Sequence, residues 1–223
     1  MEPLFIFILF GTVMLALIIF GHQRARARSA AIAGWAAAKG FYFHPGKARN
    51  FDDQHPMLSY LRRGGSRYAY NIASGQWGDV TFTSFDYHYS TGSGKNRKTH
   101  RFSAVLLKPA HEMKALLVRP EGFFDKVKAG FGFNDIDFES AEFSKKFYVS
   151  ANDKRWAYDV IHQRTMQFIM MNSLSHQKFS FECNHEVMCV VSKRVLEIPG
   201  FEAAYEFGNT ILAEIPEYVR QKL

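Results

Sequence analysis

VTFTSFDYHYSTGSGKNRKTHRFSAVLL, residues Val80 to Leu107, decides the fold. Val80 to Tyr89 alternates: Phe85, Tyr87 and Tyr89 fall on one face, Asp86 and His88 on the other. That period of two marks a strand. Arg101 to Leu107 repeats it, with Phe102, Ala104 and Leu106 on a common face. Between them lies a glycine-rich stretch ending in Gly94-Lys95. A phosphate-binding loop here would mean a parallel α/β sheet, and a turn would mean an antiparallel hairpin. The phosphate loop needs a glycine five positions before the Gly-Lys pair and a Ser or Thr after it to hold magnesium. Tyr89 and Asn96 occupy those positions. A strand follows, not a helix whose N-terminus could hold phosphate. Ser90 to Thr99 is therefore expected to be a long hairpin loop in an antiparallel sheet.

Further strands extend the meander on both sides. Arg67 to Ala73 (RYAYNIA) precedes the hairpin, with Gly75 and Gly78 marking a turn in SGQWGD, and Leu116 to Arg119 follows it. Phe41 to Pro56 holds two prolines and many polar residues and reads as irregular. Beyond the meander the pattern mixes. Gly122 to Ala129 suits a short helix. Asn152 or Asp153 can cap a helix reaching about Asn172, because a short acceptor side chain satisfies orphan backbone donors. Trp156, Val160, Ile161, Phe168 and Ile169 supply its apolar stripe. Lys178 to Cys183 and Val187 to Ser192 read as two strands. Pro199-Gly200 breaks the chain before a last amphipathic helix through Phe201, Ala204, Tyr205, Ile211, Leu212 and Ile215.

The N-terminus carries a different signal. Leu4 to Phe20, LFIFILFGTVMLALIIF, is an uncharged apolar run without proline. At a rise of about 1.5 Å per residue it spans roughly 26 Å, near the hydrocarbon thickness of a thin bilayer. A cleaved signal peptide would need a basic segment before the run. Here Arg24, Arg26 and Arg28 follow it instead. The positive-inside rule then places the rest of the chain in the cytoplasm, as in a single-pass protein of the bacterial inner membrane. Alanine-rich SAAIAGWAAAKG prolongs the helix to about Lys39, with Gly40 as its stop. The expected organisation is a transmembrane anchor over 1–21, a juxtamembrane helix over 22–40 and a cytoplasmic α+β domain over 41–223, its antiparallel sheet packed by helices.

Composition agrees with such a protein. The chain has 223 residues, 22 of them Phe, enough for one aromatic-rich core with an appendage. Its net charge of +7 suits a surface facing anions. Cys183 and Cys189 alone make no disulfide framework, and a cytoplasmic thiol stays reduced.

Candidate chemistry is sparse. Lys95, Arg97, Lys98 and Arg101 could contact lipid headgroups, or nucleic acid with the nearby tyrosines as stacking platforms. Nucleic acid is the less favoured partner, and a solvated loop is the plainer reading. Arg24, Arg26 and Arg28 could reach lipid phosphates or simply fix topology. Asp86 and His88, two apart on one strand face, are the one acid–base pair a tethered hydrolase could use. No nucleophile accompanies them, and the default for that face is solvent exposure. Cys183, His185 and Cys189 lack the second ligand pair that zinc normally takes, so no metal or other cofactor is expected. Two small buried residues, or a cross-strand pair, fit the cysteines better. The acidic run Asp135, Asp137, Glu139 and Glu142 reads as a solvated face. Met166, Met170 and Met171 around Phe168 read as core.

Glu139, Phe143, Lys145, Phe147, Val149, Asp153, Ala157, Ile161 and Met166 form the pattern E-x3-F-x-K-x-F-x-V-x3-D-x3-A-x3-I-x4-M. This pattern resembles a bacterial family of membrane-anchored proteins with a domain of unknown function, some members of which are associated with LemA-type proteins. The resemblance implies membrane anchoring but no catalytic residues. The reading that follows is an interaction or accessory module of a membrane-associated system, with membrane lipid and a protein component as its partners.

Overall fold

The structure, a computed structural model, describes residues 2–121, 134–173 and 178–220. Helix α1 (Glu2–Ala38) is unbroken. Gly40 ends it in the left-handed region (φ 72°), where glycine has no Cβ to clash. The amides of Gly40 and Phe41 return to the carbonyls of Ala37 and Ala36, a Schellman cap. The apolar run of the helix is bare: Phe7 is 73% exposed and Phe20 64%. Its last turns are not, since Ile32, Trp35 and Ala36 lie in the domain core. The boundary expected at residue 41 thus falls inside a packed unit.

The strands are β1 (Tyr42–His44), β2 (Ala48–Arg49), β3 (Gly65–Trp77), β4 (Val80–Thr91), β5 (Lys98–Lys108), β6 (Leu116–Pro120), β7 (Asn134–Asp135), β8 (Phe147–Ala151), β9 (Phe179–Cys183) and β10 (Met188–Ser192). Among the described residues they form one antiparallel sheet in the order β1-β3-β4-β5-β10-β9-β6-β8-β7, with β2 also pairing β3. The fold is α+β, as the alternation predicts. The β4–β5 ladder reaches Thr91 opposite Lys98, leaving only Gly92 to Arg97 as the turn. The expected loop over Ser90–Thr99 is therefore shorter, because Ser90 and Thr99 pair with each other. Similarly, β3 continues through Gly75 to Trp77, and the turn is confined to Gly78 and Asp79. The irregular segment after α1 includes β1, β2 and a 3-10 turn at Phe51–Gln54.

Helices cover one face of the sheet. They are α1, α2 (Ala141–Lys146), α3 (Lys154–Val160), α4 (Gln163–Ser173) and α5 (Ile198–Glu214), with the short α6 (Glu217–Arg220) after them. Asp153 caps α3 by accepting from the Trp156 amide at 3.1 Å. The single helix expected to Asn172 is broken at Ile161–His162, where the His162 ring meets the Glu214 carbonyl at 3.1 Å. Pro199 does not interrupt the last helix but begins it: proline suits the first turn because its missing N–H would be an orphan there. Met166 and Met170 pack against the core, but Met171 is 72% exposed, contrary to the expected methionine cluster. The expected helix over Gly122–Ala129 lies outside the described residues.

The opposite face carries a second core. Phe85, Tyr87, Tyr89, Phe102, Ala104 and Leu106 pack there under Phe51, Leu58, Tyr60 and Leu61 of the segment between β2 and β3. Both faces of β4 are covered, so the face carrying Asp86 and His88 is not solvent-exposed as expected. Cys183 belongs to the helix-side core and Cys189 to the other. The two thiols lie on opposite faces of the sheet, so they are neither a cross-strand pair nor a converging ligand set.

Candidate functional site

Asp86 sits at the junction of the N-terminal helix α1 and the sheet, and its side chain is fully buried. A buried carboxylate is costly unless every lone pair is met. Here Arg28 forks onto it, Nε to Oδ2 at 3.0 Å and Nη2 to Oδ1 at 2.9 Å. Asn71 Nδ2 donates to Oδ2 at 3.0 Å, and Ser103 Oγ donates to Oδ1 at 2.6 Å. Each oxygen thus receives two donors. Two further bonds extend the clasp to the start of α5: Arg28 Nη2 donates to the Leu196 carbonyl at 2.6 Å, and the Leu196 amide donates to Ser103 Oγ at 2.9 Å. Glu197 lies 3.5 Å from Arg28 Nη1. Arg28 therefore faces the protein and not lipid, whereas Arg24 and Arg26 are exposed.

Two irregularities in β3 aim at Asp86 and His88. Tyr70 pairs Asp86 and Ala73 pairs Ser84, so β3 holds one extra residue there; Asn71 absorbs it at φ 50°. Such bulges re-aim side chains, and Asn is among the few residues tolerant of that region. The Asn71 amide is thereby delivered to Asp86. A second bulge lies between Gly65 and Tyr68, with Ser66 at φ 52°, and its carbonyl lies 3.0 Å from His88 Nδ1. His88 also stacks on Tyr68 at 4.4 Å. The clasp consumes the Asp86 carboxylate, and a neighbouring carbonyl engages His88. Among the described residues no hydrogen bond joins the two, so the expected acid–base pair is not assembled.

The hairpin tip is different. Lys95, Arg97, Lys98 and Arg101 are all exposed. Arg97 Nη2 donates to Ser66 Oγ at 3.0 Å, tying the tip to β3. No acidic residue occurs between Tyr87 and His111. Tyr87 and Tyr89, the expected stacking platforms, are buried in the second core.

A second polar group was missed by sequence reasoning. Glu182 is fully buried on the second face, pairing across to Cys189 and Leu117. Its Oε2 accepts from Ser59 Oγ at 3.0 Å and from the Tyr60 amide at 3.4 Å, pinning the covering segment. Oε1 has no partner among the described residues. Burial pushes its carboxyl up to about 7. FECNHEVMC gives no hint of this, since a glutamate flanked by apolar residues in a short strand looks like an outward-facing position. An open cleft lined by Arg164, Glu214 and Arg220 holds groups already paired: Arg164 with Glu214 at 3.2 Å, and Arg220 with the Ala213 carbonyl at 2.7 Å.

No protein-family model matches the sequence, and no curated protein does. Among solved structures, the fold is similar to the crystal structure of the mycobacterial trehalose monomycolate transport factor A, TtfA, with a TM-score of 0.58. The alignment covers 86% of this chain and 97% of that one at 12% identity, a likeness of fold.

Proposed function

We propose that the protein is a single-pass accessory module of a bacterial membrane-associated system, its sheet domain on the cytoplasmic side, acting by interaction and not by catalysis. One observation carries this reading. α1 is exposed over its apolar run and clasped to the sheet over its last turns, so anchor and domain form one body without a linker. The consumed Asp86 carboxylate argues against the hydrolase alternative. The resemblance of Glu139 to Met166 to membrane-anchored bacterial proteins points the same way, and so does the fold shared with a transport factor.

Crosslinking in native membranes followed by mass spectrometry tests the reading. The expected result is one recurrent membrane-protein partner, lost when the sheet domain is deleted. Recovery of the same background proteins with and without the domain sinks it. Orientation is tested separately. A C-terminal reporter should be active only in the cytoplasm, and Arg24→Glu with Arg26→Glu should disturb that orientation.

A further inference from the structure

We infer that the β4–β5 hairpin is a second membrane contact, which docks Lys95, Arg97, Lys98 and Arg101 on anionic lipid headgroups beside the anchor helix. This rests on the reading that α1 spans the bilayer. The packing of α1 on β4 sets the height of the hairpin. Trp35 lies against Phe82, with ring centroids 6.2 Å apart, and Arg28 lies against Asp86. Moving toward the membrane along α1 therefore means moving toward the hairpin tip along β4. From Asp86 to Thr91 an extended strand advances about 16 Å. At about 1.5 Å per residue this equals roughly eleven residues of helix, and about eight if the strand runs at 45° to the helix axis. Counted back from Arg28, the tip comes level with about residues 17–20, where the apolar run ends. Basic side chains held there meet headgroup phosphates.

Charge agrees with position. Arg24 and Arg26 are exposed on the helix at the same end. From Pro3 to Phe51 the chain has no Asp or Glu. Asp86 and Glu197, the acids beside Arg28, are both engaged by it. Among the described residues no salt bridge engages Arg24, Arg26, Lys95, Arg97, Lys98 or Arg101, which suits the anionic cytoplasmic leaflet. Single-stranded nucleic acid would need aromatic platforms, and Tyr87 and Tyr89 are buried where no base can stack.

The test uses the full chain with Ser93→Cys carrying an environment-sensitive fluorophore. Cys183 and Cys189 are buried and stay unlabelled in the folded protein. The chain is reconstituted in nanodiscs of phosphatidylcholine, alone or mixed with phosphatidylglycerol, containing a headgroup-attached quencher. The expected result is quenching that appears with phosphatidylglycerol and fades as salt rises. The docking equilibrium should fall about fivefold per cation removed in variants changing Lys95, Arg97, Lys98 and Arg101 to Ser. Lys95→Glu with Lys98→Glu, at exposed positions, should abolish docking outright. Equal quenching in phosphatidylcholine alone, no quenching in either disc, or stronger protection of the probe by a single-stranded oligonucleotide would overturn the inference. If quenching fails while the partner crosslink persists, the accessory reading survives. If alkali extracts the chain from membranes, both fail.

Discussion

Asp86 and Glu182 are two buried carboxylates with opposite solutions. Asp86 has a guanidinium, an amide and a hydroxyl, whereas Glu182 has one hydroxyl and one backbone amide on a single oxygen. Breaking the first should be severe. Asp86→Ala takes from Arg28 its bidentate carboxylate in a partly buried site and leaves it only the Leu196 carbonyl and Glu197, at a cost of about 3–5 kcal/mol. Arg28→Met combined with Asp86→Leu should cost less than the two single changes summed, as a double-mutant cycle by chemical denaturation would show. Glu182 makes stability pH-dependent. Its folded value of about 7 stands above the unfolded value of about 4.3, so the folded state holds the proton more tightly. Its stabilising contribution is complete below about pH 4.3 and lost as pH rises through about 7, roughly 4 kcal/mol in all. Glu182→Gln keeps an acceptor for Ser59 and should flatten that slope in denaturation curves; an unchanged slope refutes the assignment. Asp86 was legible only as a residue sharing a strand face with His88, on a face expected to meet solvent, so its burial was not legible. Nor was its partner, since Arg28 lies 58 residues away and matched the basic flank expected of any anchor.

Elements were legible where period and caps agreed. β4, β5, β9, β10 and the Asp153 cap follow directly from alternation and a short acceptor side chain. The α3–α4 break was hidden because it depends on a tertiary contact between His162 and Glu214, and the bulges in β3 because a single extra residue barely disturbs alternation. Packing can also reverse a local preference. In α5, Gly208→Ala should favour helix by about 1 kcal/mol. Its Cβ would fall 2.5 Å from Leu107 Cδ1 and 2.9 Å from Val190 Cγ2, both in the buried sheet. Overpacking of that kind costs about 1–3 kcal/mol, so a net loss in the denaturation midpoint is expected. In the β4–β5 turn the opposite holds. Changing Lys95, Arg97 and Lys98 to Ser should move stability by less than about 0.5 kcal/mol, because exposed charges contribute little.

At the scale of the whole molecule, the domain begins inside the N-terminal apolar helix. A chain starting at residue 22 keeps Arg28, Ile32, Trp35 and Ala36 and should fold. One starting at residue 41 loses a buried Trp and Ile, each worth about 2–5 kcal/mol, as well as the partner of Asp86. That sum rivals the whole stability of a domain, so the shorter chain should be recovered only as aggregate. Soluble, cooperatively unfolding protein from residue 41 onward would refute the clasp. The sequence marks a compositional shift at Gly40, and the helix does end there. The shift does not show that the preceding turns belong to the core, because alanine-rich helix is equally at home in solvent or against a sheet. With no joint between α1 and the sheet, the molecule on the proposed topology is a lever whose short arm is the apolar run of α1. Any partner or change in membrane thickness that tilts α1 must swing the far edge of the sheet, β7 and β8, through a larger arc. A small torque on the apolar end of α1 is thereby geared up into a larger displacement at that edge.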